Sequence, residues 1–170
     1  MKASFLRRFR APRPGRKLRR MAALPFSQSR AVSGLLRAEL TQAGALCLRT
    51  RPDGRPEVLL VRTLTTGRWV VPKGWPEEGL TLAETAAIEA WEEAGIRGIV
   101  RPAPVGSFSH VKRNRDGMSL RCRVQVFVID VAEVADDYPE AGRRDRRWMS
   151  PRKAAATVAS GELAGILLAL

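Results

Sequence analysis

The period of the apolar positions changes along the chain, and each change marks a predicted element. Ala43-Gly44-Ala45-Leu46-Cys47-Leu48 is an apolar run ended by the turn-forming Arg51-Pro52-Asp53-Gly54. Val58 to Val61 makes a second strand, so the pair reads as a hairpin. Trp69-Val70-Val71 is a third, short strand that runs into Pro72 and a loop at Gly74, because proline has no N–H to give to a ladder. Thr81-Leu82-Ala83-Glu84 has the form of a capping box and opens a helix that runs to about Ala94, where Gly95 suits the left-handed stop. At helical spacing Ala83, Ala86, Ala87, Ala90, Trp91 and Ala94 form one apolar stripe, while Glu89, Glu92 and Glu93 project from another side, outside the core.

Val105 to Phe108 and Leu120 to Val131 supply later strands, the second alternating through Cys122, Val124, Val126 and Val128. His110, Lys112 and Arg113 fall in a predicted loop between them, and Asp136 to Glu140 form another. Arg147-Trp148-Met149 is a brief strand, Ser150-Pro151 caps and starts a helix, and Gly161 precedes a last short one. There is no internal repeat.

Length and apolar content suit one domain with a sizeable core. The formal charge of +13 looks like a nucleic-acid signature until its position is considered: nine of the 30 basic residues fall within the first twenty positions, with no acid among them. The rest of the chain, with 21 bases against 17 acids, is only mildly basic. Residues 1–35 therefore predict a disordered basic arm, with the folded domain at 36–170. Such an arm suits an RNA contact, a membrane-surface tether or an import-like presequence, and Met21 is an alternative start that would leave residues 1–20 outside the native protein. Cys47 and Cys122 sit in apolar runs and, without a secretory leader, read as buried free thiols of a reducing compartment. No stretch approaches the roughly 18 apolar residues of a membrane span, so a soluble, cytoplasmic protein is expected.

The chemistry lies in the glutamates. Carboxylates at i, i+3 and i+4 share one helical face and repel one another, so a compensating cation is expected at Glu89, Glu92 and Glu93. Carboxylate oxygens suit Mg²⁺ or Mn²⁺, ions that bridge protein and phosphate. Standing alone, the three acids would also suit a solvated helix face. Their setting decides otherwise: Gly74-Trp75-Pro76-Glu77-Glu78-Gly79-Leu80 leads to Ile88-Glu89-Ala90-Trp91-Glu92-Glu93-Ala94-Gly95-Ile96, a loop, a capped helix and a glycine stop in one unit. This unit resembles the Nudix box, with Gly74, Glu89, Glu92, Glu93, Gly95 and Ile96 in register.

The resemblance implies an α/β fold, an α/β/α sandwich around a mixed sheet with the box loop and helix as the site wall. It also implies that Glu89 and Glu93 ligate metal, that the Gly74 carbonyl completes the shell, and that Glu92 accepts a proton from attacking water. Three positions depart from the pattern. Ala90 is smaller than the usual aliphatic residue; Ile88 replaces an arginine that pairs with the box carboxylates in the family; Leu80 replaces an accessory glutamate, for which Glu77 or Glu78 would have to substitute. Ile88 and Leu80 keep a second reading open, a catalytically weak sensor of nucleotide or phosphate ligands.

Leu59-Leu60-Val61, Arg68 to Pro72, and Asp136 to Glu140 followed by Arg146-Arg147-Trp148 resemble the diphosphoinositol polyphosphate phosphohydrolase branch, which also cleaves diadenosine polyphosphates. The implied partner is a small phosphate-rich substrate. Arg68, Lys73, Trp75 and Arg113 are the candidates to bind it, since arginine forks and lysine suit phosphate. Lys73-Gly74 also resembles dinucleoside polyphosphate and RNA 5′-pyrophosphate hydrolases, which keeps an RNA 5′-end activity open. Trp75 and Phe108 suit either base stacking or packing, and His110 either a phosphate contact or the surface.

Overall fold

The computed structural model describes residues 39–113 and 119–170; the basic arm expected at 1–35 lies outside them. The elements in order are β1 (Leu40–Thr50), β2 (Pro56–Arg62), β3 (Trp69–Val70), β4 (Lys73–Gly74), α1 (Leu82–Ala94), β5 (Ile96–Val100), β6 (Gly106–Arg113), β7 (Ser119–Val134), β8 (Arg146–Met149), α2 (Pro151–Thr157) and α3 (Gly161–Leu168). The strands form one mixed sheet in the order β3-β2-β1-β7-β5, with β4 also on β1, β6 on β7 and β8 on β2. β1 runs parallel to β7 and antiparallel to β2, so the expected hairpin is present within a larger sheet.

Both faces of the sheet are covered, which is why β1 and the middle of β7, Val126 to Ile129, carry apolar runs rather than a one-sided alternation. On one face Ala43, Ala45, Cys47, Phe127 and Ile129 pack against Ala83, Ala86, Ala90 and Ala94 of α1. On the other, Leu46, Phe108, Val124 and Val126 pack against Ala154 and Ala155 of α2 and Leu163 and Leu167 of α3. The architecture is the expected α/β/α sandwich. Alanines on the buried side of α1 let the helix lie close to the sheet, and that closeness sets the reach of its glutamates.

Local chemistry fixes both ends of α1. The Thr81 hydroxyl accepts the Glu84 N–H at 3.2 Å and the Glu84 carboxylate accepts the Thr81 N–H at 2.9 Å, a complete capping box. Gly95 stops the helix at φ 67°, and a Cβ there would also meet the Ala135 carbonyl oxygen at 2.6 Å.

Several expectations need correcting. His110, Lys112 and Arg113 belong to β6 rather than a loop, because β7 extends far enough to pair His110 with Cys122 and Arg113 with Ser119. The loop placed at Gly74 holds a two-residue strand, with Gly74 opposite Ala43 and Lys73 opposite Gly44. β5 has no clear apolar signature, since it is an edge strand with Arg97 and Ile99 exposed. Ala87 and Trp91 of the predicted stripe are only partly buried, Trp91 lying beneath the Arg97 guanidinium. Glu93, expected outside the core, is only 6% exposed.

Candidate active site

The site begins where β4 meets α1. Position 74 lies opposite Ala43, on the α1 side of the sheet, and position 73 lies opposite Gly44, on the other side. A Cβ built on Gly74 would stand 1.8 Å from Glu89 Oε1 and 2.2 Å from its Cδ, so the carboxylate rests directly on the strand backbone. One turn along, the Lys73 N–H donates to Glu93 Oε2 at 3.2 Å. Glu89, Gly74, Lys73 and Glu93 are thus brought together as the box resemblance implies, while Glu92 is half-buried on the same helix.

Glu93 is buried because it is paired. Arg144, from the loop between β7 and β8, places Nη2 2.8 Å from Glu93 Oε1, and its Nε donates to Glu140 Oε2 at 2.5 Å. The same loop is tied to the helix by the Glu140 N–H, which donates to the Glu92 carbonyl at 3.1 Å. Glu77 and Glu78, the expected substitutes for the accessory carboxylate, are exposed in their loop, whereas Glu140 is 8% exposed against Arg144. The sequence singles out Glu140 only as part of the Asp136 to Glu140 loop, and Arg144 does not stand out from the arginines around it.

Burial dominates the electrostatics. Burial, then Glu93 and Glu92, push the Glu89 carboxyl up to about 8 despite Lys73. Burial also pushes Glu93 up, against the pull of Arg144 and Lys73. On the opposite side of β4, burial lowers Lys73, and Lys112 and Arg144 add to the shift. Glu89 makes no hydrogen bond or ion pair among the described residues. A carboxylate so placed calls for a cation, and the donors at hand, carboxylate and carbonyl oxygens, fit Mg²⁺ or Mn²⁺. Among the described residues no three His, Cys, Asp or Glu side chains already stand as a joint ligand set, as repulsion between unbridged carboxylates dictates. The fit therefore rests on donor chemistry and on Glu89.

The raised Glu89 value has a testable sign. Between its unfolded value near 4.5 and about 8, the folded chain holds a proton that the unfolded chain has lost, so stability is full below that range and declines as pH rises through it. With divalent ions chelated, Glu89→Gln is expected to raise the melting temperature more above pH 8 than below pH 4.5. Thermal unfolding across this range measures it, and an equal effect at both ends would contradict the carboxylate's assigned surroundings.

The substrate-binding candidates divide. Lys73 and Trp75 flank Gly74, and the Lys112 ammonium lies 5.1 Å from the centre of the Trp75 ring. Arg68 sits exposed in the turn before β3, where its N–H donates to the Thr63 hydroxyl at 3.1 Å, and is not joined to the carboxylates. Arg113 ends β6, and its side chain lies outside the described residues. Phe108 is 2% exposed within the core, so packing is its role. His110 is half-buried, not a surface residue, with Nε2 2.7 Å from Gln42 Oε1. Both cysteines are free and buried. Among the described residues no helix is long and apolar enough to cross a membrane.

Several known proteins are similar to this chain. Nudix hydrolase 12, mitochondrial, of Arabidopsis thaliana is 36% identical over 101 residues, covering 58% of this chain and 50% of the relative. Diphosphoinositol polyphosphate phosphohydrolase 2 of Rattus norvegicus is 32% identical over 107 residues, covering 61% of this chain and 55% of the relative. The chain thus spans about half the length of these curated relatives. The crystal structure of a C. elegans Ap4A hydrolase shares the fold, with a TM-score of 0.55 at 18% identity over 77% of this chain and 95% of that one. Residues 40–168 match the NUDIX domain, and with the box helix seated on the glycine strand and most of the chain matched, this protein belongs to the Nudix family.

Proposed function

We propose that this protein is a metal-dependent hydrolase of a pyrophosphate bond in a phosphate-rich substrate. The observation that carries the reading is the Glu89 carboxylate: half-buried, laid against the bare backbone of Gly74, unpaired among the described residues and crowded by two further glutamates of the same helix. Glu89, Glu93 and the Gly74 carbonyl would hold Mg²⁺ or Mn²⁺. The ion would neutralise the diphosphate and acidify water. Glu92 takes the proton from the attacking water, and Lys73, Trp75, Arg68 and Arg113 bind and orient the substrate's other phosphates.

Among substrates, the aromatic positions favour a diphosphoinositol polyphosphate over a diadenosine polyphosphate. Phe108 is committed to the core and one side of Trp75 carries Lys112, which leaves a single ring face for a base. A cation over an aromatic ring beside Lys73 is suited to a ligand that is mostly phosphate. A cytoplasmic location belongs to the same reading, and "mitochondrial" is said only of the plant relative. An RNA contact has only the basic composition of residues 1–35 behind it.

The test is turnover with Mg²⁺ and Mn²⁺ on diphosphoinositol phosphates, diadenosine polyphosphates, nucleoside triphosphates and 5′-triphosphorylated RNA. Diphosphoinositol phosphate is expected to give the highest kcat/KM. Ligand binding without turnover on the whole panel would install the sensor reading in its place, and preference for RNA the 5′-end activity.

A further inference from the structure

α1 contains Glu84, Glu89, Glu92 and Glu93 and no lysine, arginine or histidine, with Ile88 beside the first acid of the cluster. The positive charge that its buried acid requires therefore comes from elsewhere in the fold. It comes from Arg144, whose side chain is 11% exposed between those of Glu93 at 7% and Glu140 at 10%. The arrangement is directional. Glu93 Oε1 takes the guanidinium and Oε2 takes the Lys73 N–H, so both oxygens of this carboxylate are held from fixed points. Glu140 occupies another edge of the fork, and Arg144 Nη1 donates to the Arg62 carbonyl at 3.4 Å. A planar guanidinium bonded on several edges has little freedom to swing toward Glu89 or a substrate phosphate.

We propose that Arg144 is the positioning residue of the metal centre: braced by Glu140, it fixes the Glu93 carboxylate so that the remaining lone pairs of that group meet the ion. It touches neither ion nor substrate. The assignment rests on the hydrolase reading for the role of Glu93, and it accounts for a box helix that functions without a guanidinium of its own.

The experiment uses the full chain with Arg144→Met, Arg144→Lys and Glu140→Gln. Mn²⁺ binding to the protein alone is measured by electron paramagnetic resonance, turnover by kcat and KM, and folding by circular dichroism. Loss of an outer partner of a metal ligand costs about 10- to 100-fold in metal affinity or activity, and Arg144→Met is expected to lose that much in both Mn²⁺ affinity and kcat while KM stays within about twofold. Lysine, which restores the charge without the fork, recovers part of the Mn²⁺ affinity. Glu140→Gln, which leaves Arg144 on Glu93, gives a smaller loss of the same kind and serves as the test if Arg144→Met fails to fold. Unchanged Mn²⁺ affinity in a folded Arg144→Met, a change confined to KM, no recovery by lysine, or an unaffected Glu140→Gln would each overturn the proposal. If the wild-type protein turns over nothing while the Mn²⁺ series behaves as described, it is the hydrolase reading that falls and the positioning role that stands.

Discussion

Glu93→Gln is expected to abolish divalent-ion binding and to lower kcat by about 10³-fold, beyond the roughly 10- to 100-fold cost of altering an outer partner of a metal ligand. The substitution keeps the volume and leaves Arg144 paired with Glu140, but its single amide oxygen can serve only one of the two donors, the Lys73 N–H or the Arg144 guanidinium. What it removes is the charge. Truncation to alanine would also empty the space beside a buried guanidinium and leave neither donor an acceptor, and breaking a buried pair in this way costs about 3–5 kcal/mol. Glutamine relieves repulsion toward Glu89 and Glu140 but gives up the ion pair with Arg144, so the melting temperature should fall, by less than in the alanine variant. Metal titration by calorimetry and steady-state kinetics measure the two quantities. A Glu93→Gln protein that still binds Mg²⁺ and turns over at the wild-type rate would remove the glutamate cluster from the chemistry altogether.

The second large effect is expected from one added methyl group. In Gly74→Ala the new Cβ would lie 1.8 Å from Glu89 Oε1, far inside van der Waals contact, and the obstructing atoms belong to a side chain that can move. The strand keeps its place and Glu89 leaves. Displacing a reacting or ligating group by about 1 Å is enough for a 10²-fold loss, and the required movement here is larger, so kcat should fall by at least about 10²-fold. Thermal stability should be nearly unchanged, because the relieved carboxylate was itself a burden at neutral pH. In a Glu89→Gln background the added alanine should cost little further activity. A Gly74→Ala protein with wild-type turnover would show that Glu89 does not work from its place on the strand.

The fold and half of the site were legible in the sequence because both rest on local signals. Thr81 with Glu84 and Gly95 define α1 through bonds that span a single turn, and the i, i+3, i+4 spacing puts the three glutamates on one helical face whatever the surrounding fold. The covered sheet follows from apolar runs such as Ala43 to Leu48. The illegible half consists of contacts made across long loops. An acidic helix face predicts Glu93 outside the core; its burial depends on Arg144, which only the β7–β8 loop delivers. For the same reason no local signal announces the burial of Glu140 against Arg144. His110 and Lys112 were read as loop residues because polar side chains obscure a strand whose pairing with β7 is a matter of backbone register.

The fastening of the β7–β8 loop carries a dynamic consequence. Ala135 and Glu140 donate their N–H groups to the carbonyls of Gly95 and Glu92, and Arg146 grips the carbonyls of Ala94 and Ala135 at 2.7 Å each. The loop ends in β8, a four-residue strand paired with β2 away from the long β1–β7 ladder. Short marginal segments of this kind detach at a lower free energy than the central ladder. When this one detaches, Glu93 loses its clasp although the alanine-lined core of α1 stays shut, so warming would silence the protein before it melts, and amide exchange in residues 135–149 would report working capacity better than exchange in β7.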